Sequence, residues 1–186
     1  MFEEIKKDSQ LSKIIRNFCE DNHFEICISD NLEENDENLL ILKIDDYYST
    51  KNFTKPPKSI DCLILVRCHN ESFNMFLIEL RNIKNSKGFN RKEIYQKFQN
   101  TFELFLNDEF SKIFVKYSYS NIKCYFVSDP YGYKKRDNSL TKENFLEKQH
   151  CKNLNKDWLM SFKPFKFKNR LYSISIEMPT PTIDEC

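Results

Sequence analysis

The sequence predicts an α/β fold, with helices packed against a central mixed β-sheet. Three observations lead there. Two apolar runs, residues 60–68 and 73–81, are joined by the polar turn His69-Asn70-Glu71-Ser72, the pattern of an antiparallel hairpin. Ile94, Phe98, Phe102, Phe105, Leu106 and Phe110 then recur at helical spacing. A further strand-like run, residues 122–127, follows that helix, and strands alternating with helices make a layered α/β sheet.

The remaining elements follow in chain order. Leu11, Ile14, Ile15, Phe18 and Cys19 predict a first helix over residues 3–21. Residues 24–29 alternate as a strand does, residues 30–38 read as an acidic loop, and residues 39–44 form a second strand candidate. Asp45 and Asp46 open a loop that ends at Pro56-Pro57. Proline lacks the N–H a central strand needs, so the next strand starts after that pair. It is apolar on both faces over residues 63–66, which suits a central position. Ser86-Lys87-Gly88 breaks the pattern, and Asn90 is placed to cap the long helix, expected over residues 90–110. After 122–127 come the turn Asp129-Pro130-Tyr131-Gly132, a polar stretch over 131–157 with one helix near 141–151, a last strand at 171–176 and an extended Pro179-Thr180-Pro181 tail. The 186 residues are expected to form one domain, with a core over about 8–128 and a basic extension over about 129–186.

Composition narrows the function classes. The chain has only 2 glycines, so Gly-rich phosphate loops of the P-loop and Rossmann kinds are excluded. No apolar run reaches the length of a membrane span, and Met1 opens a charged segment rather than a signal peptide. The expected location is the cytoplasm, and the 7 cysteines, none in a C-x-x-C pair, are expected as reduced thiols. A zinc site from Cys68, His69, His150 and Cys151 matches no common module. The net charge of +1 hides an asymmetry: residues 1–50 carry about −8 and the remainder about +9. Lys134, Lys135 and Arg136, and Lys166, Lys168 and Arg170, are candidate contacts to a polyanion. Tyr131 and Tyr133 add rings suited to base stacking beside the first cluster, whereas Trp158 is expected to pack the extension onto the core.

The residues that point to chemistry are Asp61, at the entrance of one hairpin strand, and Glu79, at the exit of the next. A carboxylate in an apolar strand is costly unless something pairs with it. A hairpin brings these two to one end of the sheet, where they can hold a divalent metal with the Leu80 carbonyl as a further oxygen ligand. Arg81 falls on the same strand face as Glu79. A purely structural account has Asp61 capping the strand entrance and Glu79 paired with a basic group.

Asp61 after Pro56-Pro57, and Glu79-Leu80-Arg81 on the next strand just before a long helix, resemble the PD-(D/E)XK nuclease superfamily. The resemblance covers roughly residues 8–128 and implies a restriction-endonuclease-like core of helix, three strands, helix and strand. It implies a Mg²⁺-dependent endonuclease acting on DNA, in a restriction or defence system, with Asp61 and Glu79 as metal ligands and Glu20 as an accessory one. Ile60 stands where the family has Pro, and Arg81 where it has Lys. Arginine stays charged and cannot serve as a general base, though it can hold a phosphate. The lysine's work would then pass to Lys97 on the long helix, with Lys84 as the alternative. One site per chain implies a homodimer or partner subunit for cutting both strands. The competing expectations are an inactive nucleic-acid-binding module of the same fold and an α/β protein-interaction domain.

Overall fold

The structure is a computed structural model and describes residues 1–21, 24–33, 36–51, 53–81, 90–129, 137, 139–141, 143–145, 147, 162–184 and 186. It is α/β with a central mixed sheet. The chain runs α1 (Phe2–Lys7), a 3-10 turn (Leu11–Ile14), β1 (Ile15–Arg16), β2 (Cys27–Ile28), α2 (Asp30–Glu33), β3 (Leu39–Lys43) and α3 (Ile44–Ser49). The hairpin β4 (Cys62–Arg67) and β5 (Phe73–Leu80) follows, then α4 (Arg91–Asn100), a π-helical stretch (Thr101–Glu109), α5 (Ser111–Phe114) and β6 (Tyr119–Val127). The C-terminal part adds β7 (Phe165–Phe167), β8 (Arg170–Tyr172), β9 (Ile174–Glu177) and β10 (Thr182–Ile183).

Six strands form the main sheet in the order β1-β3-β4-β5-β6-β9. Pairing is antiparallel from β1 to β5 and parallel from β5 through β6 to β9. The parallel step from β5 to β6 needs a crossover, and the long helix supplies it. Strand β4 is buried on both faces, as its unbroken apolar run predicts. Leu63 and Leu65 face the layer of α1 and the long helix. Ile64 and Val66 face a smaller layer with Ile26, Leu32 and Ile183, where β2 and β10 pair as a separate two-stranded sheet.

The first helix is shorter than expected. Asp8 ends it by turning extended, and its Oδ1 accepts from the Gln10 and Leu11 amides at 2.9 Å each. An aspartate that bonds its own downstream amides competes with helix continuation, so residues 15–16 become an edge strand. Asp45 and Asp46, expected in a loop, sit in the first turn of α3, where carboxylates suit the helix dipole. The last strand also divides: residues 170–172 pair with β7, while 174–177 join the main sheet beside β6.

The long helix begins where expected. Asn90 Oδ1 accepts from the Glu93 amide at 3.1 Å. Past Thr101 it widens into π-helix, closed by Phe110 N–H donating to Phe105 O at 3.0 Å. In an α-helix five residues turn the chain roughly 140° past a full revolution, which would set Phe105 and Phe110 on different faces. The wider winding instead brings their rings to 4.8 Å.

The cysteines differ from expectation. Cys19 is disulfide-bonded to Cys62, and Cys68 to Cys186, whereas Cys124 is a buried free thiol. These pairings span 43 and 118 residues and depend on tertiary placement: the smaller layer lays Cys19 over β4, and the C-terminus returns to the far end of that strand. His150 and Cys151, offered for zinc, lie outside the described residues. Among the described residues no helix is long and apolar enough to cross a membrane.

Candidate active site

Hairpin register brings the two predicted carboxylates together. Cys62 pairs with Ile78, so Asp61, one residue earlier, stands across from Glu79, one residue later. The backbone confirms the alignment: Asp61 N–H donates to Ile78 O at 3.1 Å, and Asp61 O accepts from Ile44 N–H at 2.9 Å. Asp61 Oδ2 accepts from the Leu80 amide at 2.6 Å. The Leu80 side chain points into the smaller layer, as strand alternation requires of the residue after Glu79.

Glu79 has no exposed side-chain surface, and the long helix gives it a partner. Lys97 Nζ donates to Glu79 Oε1 at 2.7 Å and Oε2 at 2.8 Å, and lies 3.8 Å from Asp61 Oδ1. One ammonium thus stands between both carboxylates. Thr101 fixes that turn of the helix against the hairpin: its Oγ1 donates to Lys97 O at 2.9 Å and accepts from the Ile60 amide at 3.3 Å.

Burial pushes the Glu79 carboxyl up to about 8, with the Asp61 charge adding and Lys97 and Arg81 opposing. For Lys97, burial alone would favour the neutral amine. The Asp61 and Glu79 charges overcome it and hold the ammonium above its ordinary value.

Arg81 lies on the Glu79 face, as the period of two requires. Its Nη1 donates to Glu93 Oε1 at 3.2 Å and sits 3.7 Å from Glu79 Oε1. Lys58 Nζ lies 3.7 Å from the same Glu93 oxygen. For Glu93, burial acts upward, but the Arg81 hydrogen bond and the Arg81, Lys58 and Lys97 charges outweigh it and hold the carboxyl below its usual range.

The other expected site residues are not gathered here. Glu20, expected near a helix end, is exposed and in an isolated bridge with Glu25, and its carbonyl accepts from Lys43 Nζ at 3.3 Å. Asp45 is nearer to Asp61. Burial raises its carboxyl, Lys43 opposes, and the Asp61 and Asp46 charges add to the rise. No group of three or more His, Cys, Asp or Glu side chains is positioned for a metal among the described residues. Lys166, Lys168 and Arg170 are exposed on the β7–β8 hairpin. Lys168 bonds Tyr117 O and lies over the Tyr119 ring. Tyr119 pairs with Phe73 at the start of β5, six residues from Glu79, or roughly 20 Å along the strand. Lys84, Tyr131, Tyr133, Lys134, Lys135, Arg136 and Trp158 lie outside the described residues.

Sequence reasoning missed Glu93, Lys58 and Thr101. Glu93 carried a signal, standing four residues before Lys97 on the same helix face. Lys58 and Thr101 carried none, since a lysine after a double proline and a threonine within a helix are ordinary in isolation.

The donor set suits a hard divalent cation. Two carboxylates face one another across a hairpin, and Glu79 is driven toward its neutral form by burial and by Asp61. A cation between them relieves both effects; Lys97 provides that charge here. Comparison with family models, with curated proteins and with solved structures gave no match to this chain.

Proposed function

We propose that this chain is a restriction-endonuclease-like, Mg²⁺-dependent endonuclease that hydrolyses DNA phosphodiester bonds in a restriction or defence system. The reading rests on one observation above the others: Asp61 and Glu79 oppose each other on adjacent strands, and Lys97 from the following helix reaches both. The element order of helix, β3, β4, β5, long helix and β6 supports the same reading.

Asp61, Glu79 and the Leu80 carbonyl would hold Mg²⁺, which when bound polarises a phosphate and acidifies a water ligand. Lys97, positively charged throughout the working pH range, keeps Glu79 oriented and offsets negative charge that grows on the phosphate. Arg81 supplies a second fixed charge with a planar hydrogen-bonding fork suited to phosphate oxygens. Exposed basic side chains such as Lys166 and Arg170 would meet the nucleic-acid backbone at longer range. Double-strand cutting would require a homodimer or partner subunit.

A second reading has its own support. Lys97 already neutralises the acid pair and Arg81 is engaged by Glu93, as in a nucleic-acid-binding module that has lost catalysis. Plasmid incubation with Mg²⁺ separates the two. Cleavage by the native protein, lost in Asp61→Ala, Glu79→Ala and Lys97→Ala, is expected. Cleavage that survives both acid substitutions sinks the site assignment. Salt-sensitive binding without cleavage establishes the binding module.

A further inference from the structure

Arg81, Lys58 and Glu93 form a second charge cluster at the mouth of the site. Arg81 Nη1 at 3.2 Å and Lys58 Nζ at 3.7 Å converge on one atom, Glu93 Oε1. The backbones that carry them are anchored. Lys58 O accepts from Asn100 Nδ2 at 2.8 Å, the Glu93 amide is capped by Asn90, and the Arg81 amide donates to Val127 O at 3.0 Å. The charged ends are partly open to solvent: side-chain exposure is 28% for Arg81, 44% for Lys58 and 23% for Glu93.

Two cations sharing one carboxylate oxygen resemble two cations sharing one phosphate oxygen. Both ligands are oxyanions that accept from a guanidinium fork, and a phosphodiester carries the same single charge as the carboxylate it would replace. Arg81 keeps a second acidic neighbour, Glu79 Oε1 at 3.7 Å, which holds its guanidinium at the site when Glu93 is displaced. A strand entering the site must draw Arg81 and Lys58 away from Glu93, and the exposure of all three makes room for that.

We propose that Arg81 and Lys58 form a clamp for a backbone phosphate of nucleic acid, and that Glu93 is an internal stand-in for that phosphate, holding the clamp in shape until a strand displaces it. The proposal rests on the reading of this site as nucleic-acid-facing but not on cleavage. Glu93 is thereby a positioning residue with a competitive effect on affinity, which a merely structural ion pair would not have.

The test is binding of a fluorescent duplex oligonucleotide by anisotropy, in EDTA, with the full-length chain, across ~50 to ~200 mM salt. Lys58→Ala and Arg81→Ala are each expected to weaken binding roughly tenfold and to lower the salt slope by about 1. Glu93→Gln, which keeps the shape and removes the competing charge, is expected to tighten binding several-fold. Circular dichroism establishes that each variant is folded. If a folded Glu93→Gln binds no tighter than the native chain, or Lys58→Ala leaves the salt slope unchanged, the proposal is overturned. Inorganic phosphate is expected to displace the oligonucleotide beyond the effect of ionic-strength-matched chloride in the native chain, and to lose that advantage in Lys58→Ala. Because metal is absent, the clamp stands or falls whatever the plasmid assay shows, and loss of cleavage alone bears only on the nuclease reading.

Discussion

Lys97 Nζ lies 2.7 and 2.8 Å from the two carboxylate oxygens of Glu79, a side chain with no solvent exposure. This contact joins the helix layer to the end of β5 and sets both the stability and the chemistry of the site.

Removing one partner of a buried pair leaves the other's desolvation uncompensated. Lys97→Met is therefore expected to destabilise the fold by about 3 kcal/mol or more, read as a lower urea midpoint. The double variant Lys97→Met/Glu79→Leu is expected to recover most of the loss, because an apolar pair of similar volume needs no hydrogen bonds. Equal losses in single and double variants would mean that an unpaired Glu79 carboxyl is not what destabilises Lys97→Met.

The pH dependence follows from the sign of the Glu79 shift. Its folded value, about 8, lies above the ordinary carboxylate value of about 4 expected unfolded. Between these limits the folded state holds a proton that the unfolded state has released, so stability falls as pH rises. The contribution is fully present below the unfolded value and gone once pH has passed about 8. Thermal unfolding from about pH 5 to about pH 9 is expected to show this decline in the native protein and a flatter profile in Glu79→Gln. Parallel profiles would remove Glu79 as its source.

Under the proposed function, metal binding is linked to the same proton. A cation held by Glu79 must displace it, so calorimetric Mn²⁺ affinity is expected to rise toward about pH 8 and level off above. Proton release should fall in step, and Asp61→Asn should abolish both. A pH-independent affinity would place the metal elsewhere.

Thr101→Val removes the hydroxyl joining Lys97 O to the Ile60 amide while keeping the volume. The loss of a buried hydrogen bond is expected to cost about 1–2 kcal/mol. Under the nuclease reading, plasmid cleavage should fall further than unfolding of the population explains, since the turn carrying Lys97 would no longer be tied to the strand carrying Asp61.

Non-reducing peptide mapping is expected to recover Cys19 linked to Cys62 and Cys68 linked to Cys186. The Cys19–Cys62 link closes a loop of 43 residues, for which chain entropy gives roughly 4 kcal/mol as an upper figure. Cys62→Ser should lower the unfolding free energy by about 2–4 kcal/mol, an effect that reductant reproduces in the native chain. Finding all four as free thiols under oxidising conditions would remove the tie.

The hairpin, the helix after it and the facing of Asp61, Glu79 and Arg81 were legible because each depends on short-range periodicity. Residues 60–81 carry their own turn and their own alternation, and Asn90 announces the helix start. Lys97 was legible as a residue near the helix's apolar face that reaches the sheet, and its ammonium contacts both carboxylates there. What failed was set at long range, with one local exception. The Asp8 side chain ended α1 by a local bond that overrode an apolar repeat running to Cys19. The disulfides, the β2–β10 pairing and the Glu93 cluster each join segments whose proximity only the folded sheet determines.

The change of winding after Lys97 gears the site to the core. The α-helical half carries Glu93 and Lys97, while the π-helical half carries Phe102, Phe105 and Leu106. A tightening of the second half to α winding would rotate the two halves against each other. Phe105 and Phe110, whose rings meet at 4.8 Å, therefore act as a set-screw: a smaller side chain at either position is expected to let the helix rewind, and the first place to register that turn is the spacing of Lys97 from Glu79.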